Sequence, residues 1–326
     1  MRLRRNVKRP GVKLKAVCVL LLVIALLFGM YCAGRWLEKR MANPEPDGDY
    51  RQHITDNTGI SYGRKTYRLK KNLTSVLLLG IDYGNAKAGD SADGGRTEFV
   101  QLLVIDDNAQ TVKRLQIDSE AIITTDAPDT HPAHDFASDS KEQYCKLSVE
   151  AVSSLLLSTP IDFYIAVDLD GIGVINDLAD GVTVTLKDDF SALDPAMTKG
   201  TELTLNGNQA EIYFCSKADT ETRKARTERQ EQYAEQLLRQ IKNRFLVDKD
   251  FLGAVAFFDG TSEYLTTNIT RGRLLNEAYN SRKYVREELT SLHGKCRIGT
   301  NGLMRFHADE KSLYETVLDL FYEEVK

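Results

Sequence analysis

The 326 residues contain no GxSxG, Walker, HExxH or GxGxxG motif, so nothing supports a serine hydrolase, an NTPase, a zincin or a dinucleotide reader. Cysteine is scarce, with five in all. Cys18 and Cys32 fall inside an apolar run; Cys145, Cys215 and Cys296 lie beyond it without CxxC spacing. An odd number without paired spacing argues against a disulfide framework and against a zinc site. It leaves room for one bridge and does not say which. No internal repeat is visible. Basic charge is scarce past residue 40. Of 43 Lys and Arg and 47 Asp and Glu, the first 40 residues hold ten and one, which leaves 33 bases against 46 acids, a net of −13. A chain of that charge is not a general nucleic-acid binder, and any local cluster of bases in it becomes informative.

One long hydrophobic run is present. Residues 16–34 (AVCVLLLVIALLFGMYCAG) carry no charge and at helical rise span about 28 Å, one hydrocarbon core. Arg2, Arg4, Arg5, Lys8, Arg9, Lys13 and Lys15 precede it, which keeps the N-terminus cytoplasmic. The run is longer than the hydrophobic region of a cleaved signal peptide and is followed at once by Arg35-Trp36-Leu37-Glu38-Lys39-Arg40. It therefore reads as an uncleaved signal-anchor. The expected organisation is a cytoplasmic basic tail at 1–15, a transmembrane helix at 16–34, a polar stalk at 35–72 and an extracytoplasmic domain at 73–326.

In that domain, strands are expected at 75–81, 99–106, 111–118, 162–168 and 181–186. The second and third are joined through Asp106-Asp107-Asn108-Ala109 as an antiparallel hairpin. Helices are expected at 145–158, 170–178, 224–246, 271–283 and 310–325. The pattern predicts an α/β fold: a layered α-β-α domain with a mixed, partly antiparallel central sheet flanked by helices.

Two constellations carry chemistry. The apolar strand SVLLLGI ends on Asp82, and after a Gly-rich loop Arg96-Thr97-Glu98 opens the next strand. Asp82 and Glu98 thus share one sheet edge with Arg96 between them, a set that suits a magnesium ion and a phosphate; a solvated acidic loop is the plainer reading. The second is CSKADTETRKARTERQ, with Lys217, Arg223, Lys224, Arg226 and Arg229 within thirteen residues and Gln230 beside them. Arginines bind phosphate oxygens in pairs; a solvated helix start laced with Glu221 and Glu228 is the alternative. His131-Pro132-Ala133-His134-Asp135 is a weak metal candidate, because Pro132 forbids a regular helical turn there.

The order of these segments resembles the LytR-CpsA-Psr family of cell-envelope proteins. LLLGIDYG closes a strand, and GRTEF stands where the family has Gly-Arg-Ser-Asp-Thr. PIDFYIAVDLDGIGVINDLADGVTVTL, LNGNQAEIYF, ARTERQ and YLTTNITRGRLLNEA follow in family order, over about residues 73–326. The resemblance implies a membrane-anchored phosphotransferase. Such an enzyme moves a glycopolymer from a polyprenyl-diphosphate carrier to peptidoglycan, with the lipid tail in an apolar pocket between sheet and helices. It also implies a role for each residue. Asp82 and Glu98 would hold Mg2+. Arg96, Lys217, Arg226 and Arg229 would stabilise the diphosphate, with Gln230 beside it.

Several positions depart from the family pattern. Ser119 stands in place of the arginine of Pro-Arg-Asp, with Asp118 and Glu120 on either side. Cys215 and Lys217 take two arginine positions, and Glu98 replaces an aspartate. Arg223, Lys224 and, more remotely, Arg114 are candidates to supply the missing charge. A non-catalytic member that binds polyprenyl phosphate or scaffolds envelope enzymes is the alternative function. A transcriptional regulator is disfavoured, since no helix-turn-helix is visible.

Overall fold

The apolar run at 75–81 does become a central strand. A computed structural model describes residues 59–83, 95–119, 140–217, 222–247, 250–298 and 304–325. The expected basic tail, membrane span and most of the stalk lie outside the described residues, as do the Gly-rich loop and the His131–Asp135 segment. Among the described residues no helix is long and apolar enough to cross a membrane.

The strands are β1 (Ile60–Tyr62), β2 (Lys65–Leu69), β3 (Leu73–Asp82), β4 (Arg96–Asp106), β5 (Thr111–Ile117), β6 (Phe163–Asp168), β7 (Val182–Thr185) and β8 (Glu202–Leu205). They continue with β9 (Leu265–Thr267), β10 (Val285–Ser291), β11 (Gly294–Ile298), β12 (Met304–Ala308) and β13 (Tyr322–Glu324). The helices are α1 (Lys141–Leu155), α2 (Ile172–Leu178), α3 (Gly207–Cys215), α4 (Arg223–Ile241), α5 (Phe251–Thr261), α6 (Arg271–Ser281) and α7 (Glu310–Phe321). A π-helical turn, Lys242–Val247, continues α4.

Six strands form the central sheet in the order β10-β5-β4-β3-β6-β9. The pairs β10·β5 and β3·β6 are parallel and the other three antiparallel, which is the mixed sheet expected. The β4–β5 turn forms as read: the Asp106 carboxylate accepts from the backbone N–H groups of Asn108 (3.0 Å) and Ala109 (2.8 Å).

Side chains alternate across β3 because strand periodicity is two. Leu77, Leu79 and Ile81 point into one core with Val100, Leu102, Leu115, α1 residues such as Val152 and α7 residues such as Val317. Leu78 packs on the other side, against a core built from Phe99, Leu169, Val182, Val184, Tyr213, Phe214 and Tyr233. At Gly80 a Cβ would come within 3.1 Å of Phe99 and 3.2 Å of Leu169, so glycine lets those side chains close over the strand without shifting. Each fully buried Leu or Ile contributes about 1.5–3 kcal/mol, so both faces of β3 anchor the domain.

A polar hub ties the second core together. Asn176 of α2 is fully buried. Its amide donates to the Leu205 carbonyl (2.7 Å), and its oxygen accepts from Val182 N–H (3.2 Å) and the Tyr233 hydroxyl (3.2 Å). One side chain thus links α2, both strands of the β7–β8 hairpin and α4.

Two differences from expectation concern ends. β1 and β2 fall within the segment read as stalk. They are drawn into the domain because β13 pairs with β2, Tyr322 opposite Leu69. The expected C-terminal helix stops at Phe321, where the chain turns extended to make that pairing.

Candidate functional site

Strand order brings together residues that sequence keeps apart. β3 and β6 are parallel, with Ile81 opposite Asp168. Asp82 and Asp168 therefore leave the sheet at the same carboxyl edge, where open α/β sheets place their ligands. β4 begins at that edge, with Arg96 opposite Asp82. The register then slips: Ile81 faces Thr97 whereas Gly80 faces Phe99, so Glu98 is the extra residue of a β-bulge. A bulge re-aims a side chain, and Glu98 reaches helix α4. Its Oε1 lies 3.0 Å from Arg96 Nε and its Oε2 3.2 Å from Arg226 Nη2. Only 14% of the Glu98 side chain is exposed, against 57% for Arg96 and 27% for Arg226.

Helix α4 begins at Thr222, whose side chain caps Ala225 N–H at 3.1 Å. Its first turn is basic and contains no acid, the reverse of what the helix dipole prefers. Glu98 supplies a compensating negative charge, and so would an anionic ligand.

The ARTERQ motif has a structural task as well. The last turn of α3 leaves carbonyls without helical partners. Gln230 Nε2 donates to Phe214 O (3.2 Å), Arg226 Nη2 to Cys215 O (3.4 Å) and Arg229 Nη2 to Ser216 O (2.6 Å). Arg229 is fully buried, its guanidinium 5.0 Å from the Phe190 ring and its Nε 3.9 Å from Asp188. Gln230 is buried as well. The structure therefore gathers Asp82, Arg96, Glu98 and Arg226 at the edge and places Arg229 and Gln230 in the interior behind them. Lys217 is exposed, at the end of a described segment. Lys224 pairs along its own helix with Glu228 (3.7 Å), and Arg114 faces Glu235 (3.6 Å) farther down α4.

Electrostatics confirm the neighbourhood. Burial pushes the Cys215 thiol up to about 11; Arg226 draws it down, while Glu211 and Asp82 push it up. Cys215 is thus a neutral group beside Arg226 and within the field of Asp82. Asp170 is also raised above its ordinary value, first by burial, then by Asp168 and Asp82, with Lys141 opposing. The Lys141 ammonium is 2.6 Å from Asp168 and 4.4 Å from the centre of the Tyr83 ring. Lys141, Asp168 and Asp170 stand at the same edge, and sequence reasoning did not single them out. The signal was VDLDG directly after an apolar strand, but its value depends on β6 being the parallel neighbour of β3.

Magnesium requires open oxygen donors. Asp82 is exposed at the edge and within the field of Asp170, so its carboxylate fits the ion, whereas Asp168 already pairs with Lys141 and accepts from Asp170 N–H. Glu98 has one guanidinium on each oxygen, so it becomes a metal ligand only where a guanidinium turns away. Among the described residues no group of three or more His, Cys, Asp or Glu is placed to hold a metal by itself.

Between the sheet and the helices lie the apolar residues Phe99, Leu169, Phe214 and Tyr233. Beneath α4 the sheet presents Gln101 and Gln116, bonded to each other at 3.3 Å, and then Arg114.

Comparison with known proteins follows the same lines. A profile of the LytR_cpsA_psr family matches residues 46–320. The polyisoprenyl-teichoic acid–peptidoglycan teichoic acid transferase TagV of Bacillus subtilis (strain 168) is 27% identical over 261 residues, 75% of this chain and 63% of TagV. The chain thus spans less than two thirds of that relative. TagU of the same organism, described by the same activity, is 24% identical over 258 residues, 77% of this chain and 78% of TagU. The crystal structure of protein gbs0355 from Streptococcus agalactiae shares the fold, with a TM-score of 0.61 at 20% identity over 76% of this chain and 86% of that one. With most of its length matched by one profile, the chain belongs to the LytR_cpsA_psr family.

Proposed function

We propose that this protein is a single-pass, membrane-anchored, extracytoplasmic phosphotransferase that moves a glycopolymer from a polyprenyl-diphosphate carrier to peptidoglycan. The observation that carries the reading is the pair of guanidiniums, Arg96 and Arg226, converging on Glu98 beside Asp82 at the carboxyl edge of the sheet. Family membership and the activities for which TagV and TagU are named support it.

In the proposed reaction, an acceptor hydroxyl oxygen bonds to the phosphorus that carries the glycan. The bridging P–O bond of the diphosphate breaks, and polyprenyl phosphate leaves with the electron pair. Arg96 and Arg226 receive the non-bridging oxygens as charge grows on them, exchanging Glu98 for phosphate. Glu98 holds both side chains in position beforehand, so little is spent on ordering them. Asp82 takes the hydroxyl proton. A magnesium ion held at Asp82 would neutralise diphosphate charge. Arg229 and Gln230 act behind this surface, fixing the end of α3 against α4.

A second reading is a member that binds the lipid phosphate without transferring it. Cys215 favours it, since the group at an arginine position of the family is here a neutral thiol. The two separate in one assay. The full chain in mild detergent is given a polyprenyl-diphosphate-linked glycan, peptidoglycan and magnesium. Transfer to peptidoglycan that disappears in Asp82→Ala supports the enzyme; saturable lipid binding with neither transfer nor lipid phosphate release supports the binding protein.

A further inference from the structure

Arg226 is not the only place where cations converge in this acidic domain. At the other end of α4, where the π-helical turn begins, an open cavity of about 380 Å³ lies between the helix and strands β5 and β10. Arg114, Arg239, Lys242 and Arg286 line it, with Glu235, Glu287 and Glu288. Four cations face three carboxylates, so the lining keeps a net positive charge. Glu235 is shared between Arg114 (3.6 Å) and Arg239 (3.5 Å), and Glu287 is drawn towards Lys113 (3.6 Å). Among the described residues neither Arg286 nor Lys242 has an ion-pair partner.

Three further observations point to a ligand. Arg114 Nε is buried and has no acceptor among the described residues; a buried guanidinium N–H without one is costly. Arg286 titrates below its ordinary value, first because surrounding protein displaces water, then because Arg114 and Arg239 lie near it, with Glu235 opposing. Lys242 is lowered by burial and by Arg286. Two cations each lowered in part by a neighbouring cation mark a locally positive field, unusual in a domain with this excess of acids.

We infer that Arg114, Arg239, Lys242 and Arg286 form a second anion site, for a phosphoryl group carrying two or more negative charges. Arg114 forms the inner wall, and the other three approach from β10 and the end of α4. Guanidiniums match the forked oxygens of phosphate, and several converging cations favour a multiply charged anion over a single carboxylate. The ligand is pyrophosphate-like and free, or a run of phosphodiesters along a polymer. The site does not depend on the transferase reading, since it shares no residue with the Asp82 edge.

The test uses the full chain in mild detergent and inorganic pyrophosphate, followed by titration calorimetry at low and high salt. Three proteins are compared: wild type, Arg286→Gln/Lys242→Gln and Arg226→Gln. The expected result is saturable binding that weakens about tenfold or more in Arg286→Gln/Lys242→Gln, weakens with salt, and persists in Arg226→Gln. A poly(glycerol phosphate) chain of matched phosphate concentration forms the second arm. Tighter binding of the polymer assigns the site to phosphodiesters, and tighter binding of pyrophosphate assigns it to the free anion. Binding that is absent, unchanged in Arg286→Gln/Lys242→Gln, or abolished by Arg226→Gln alone overturns the inference. The unfolding temperature of the variant is measured alongside, and a wild-type value separates lost binding from lost folding.

Discussion

Glu98 meets two guanidiniums at once and so decides what the edge can bind. Were it chiefly a magnesium ligand, Glu98→Gln would weaken the response of the protein to magnesium. As an anchor for Arg96 and Arg226, its neutralisation removes a competitor for both. Pyrophosphate should then bind about tenfold more tightly at the edge, ~1.4 kcal/mol, by calorimetry in an Arg286→Gln/Lys242→Gln background. Weaker binding would show that Glu98 helps the site by ordering the two guanidiniums more than it competes for them. The cysteines give a second prediction at this scale. Burial pushes Cys145 up to about 12 and Cys215 up to about 11, while Cys296 is exposed. At pH 7.5 an alkylating reagent should label Cys296 and leave Cys145 and Cys215 thiols untouched, since the thiolate is the nucleophile. A thiol whose pKa is raised on folding stabilises the fold fully below its unfolded value near 9 and loses that contribution as pH rises towards the folded value. Thermal unfolding should therefore fall in temperature between pH 9 and 12; an unchanged midpoint would show these thiols are not desolvated. From sequence, Arg226 and Arg229 look alike, three apart on one helical face. They diverge in space because Asp188, Ser216 and Phe190 enclose one while Glu98 meets the other. Those partners come from distant segments, so the distinction was not legible.

Among elements, the legible ones announced themselves by local pattern. The apolar runs of β3 and β4, the β4–β5 turn and the stripe of Tyr233, Leu237 and Ile241 on α4 each needed only neighbouring residues to be read. Helix α3 was missed although Asn206 and Gln209 form a capping box in the structure, a signal three residues wide. α5 is apolar almost throughout and carries no helical periodicity to detect. The pairing of β2 with β13 joins residues about 250 apart, which no local pattern encodes. The Asn176 hub is the element-scale device to test. Asn176→Leu leaves the Leu205 carbonyl, Val182 N–H and Tyr233 hydroxyl without partners in a dry core. The expected loss is about 3 kcal/mol in denaturant unfolding, whereas a loss below about 1 kcal/mol would show that the hub is not dry.

At the scale of the molecule, the domain begins before its central sheet. Leu69 packs on the main core, and β2 carries β13 on its edge. A chain starting at residue 73 should melt about 5–10 °C below one starting at 59; equal midpoints would show that β1 and β2 are dispensable. Several elements converge on one edge. β3 and β6 deliver Asp82 and Asp168, a bulge turns Glu98, and the α3–α4 clamp brings Arg226 to meet it. The measurement that bears on this most directly is the rate of polyprenyl phosphate release from a diphosphate-linked glycan donor in the presence of peptidoglycan, for the full chain and for Arg226→Lys and Arg226→Gln. Losing a preorganised donor to a phosphoryl transition state costs roughly 3 kcal/mol. Arg226→Gln should therefore slow release about a hundredfold, with Arg226→Lys in between and donor affinity changing far less. A wild-type rate in Arg226→Gln, or no release by the wild-type chain, would contradict the assignment of this edge as a phosphotransfer site.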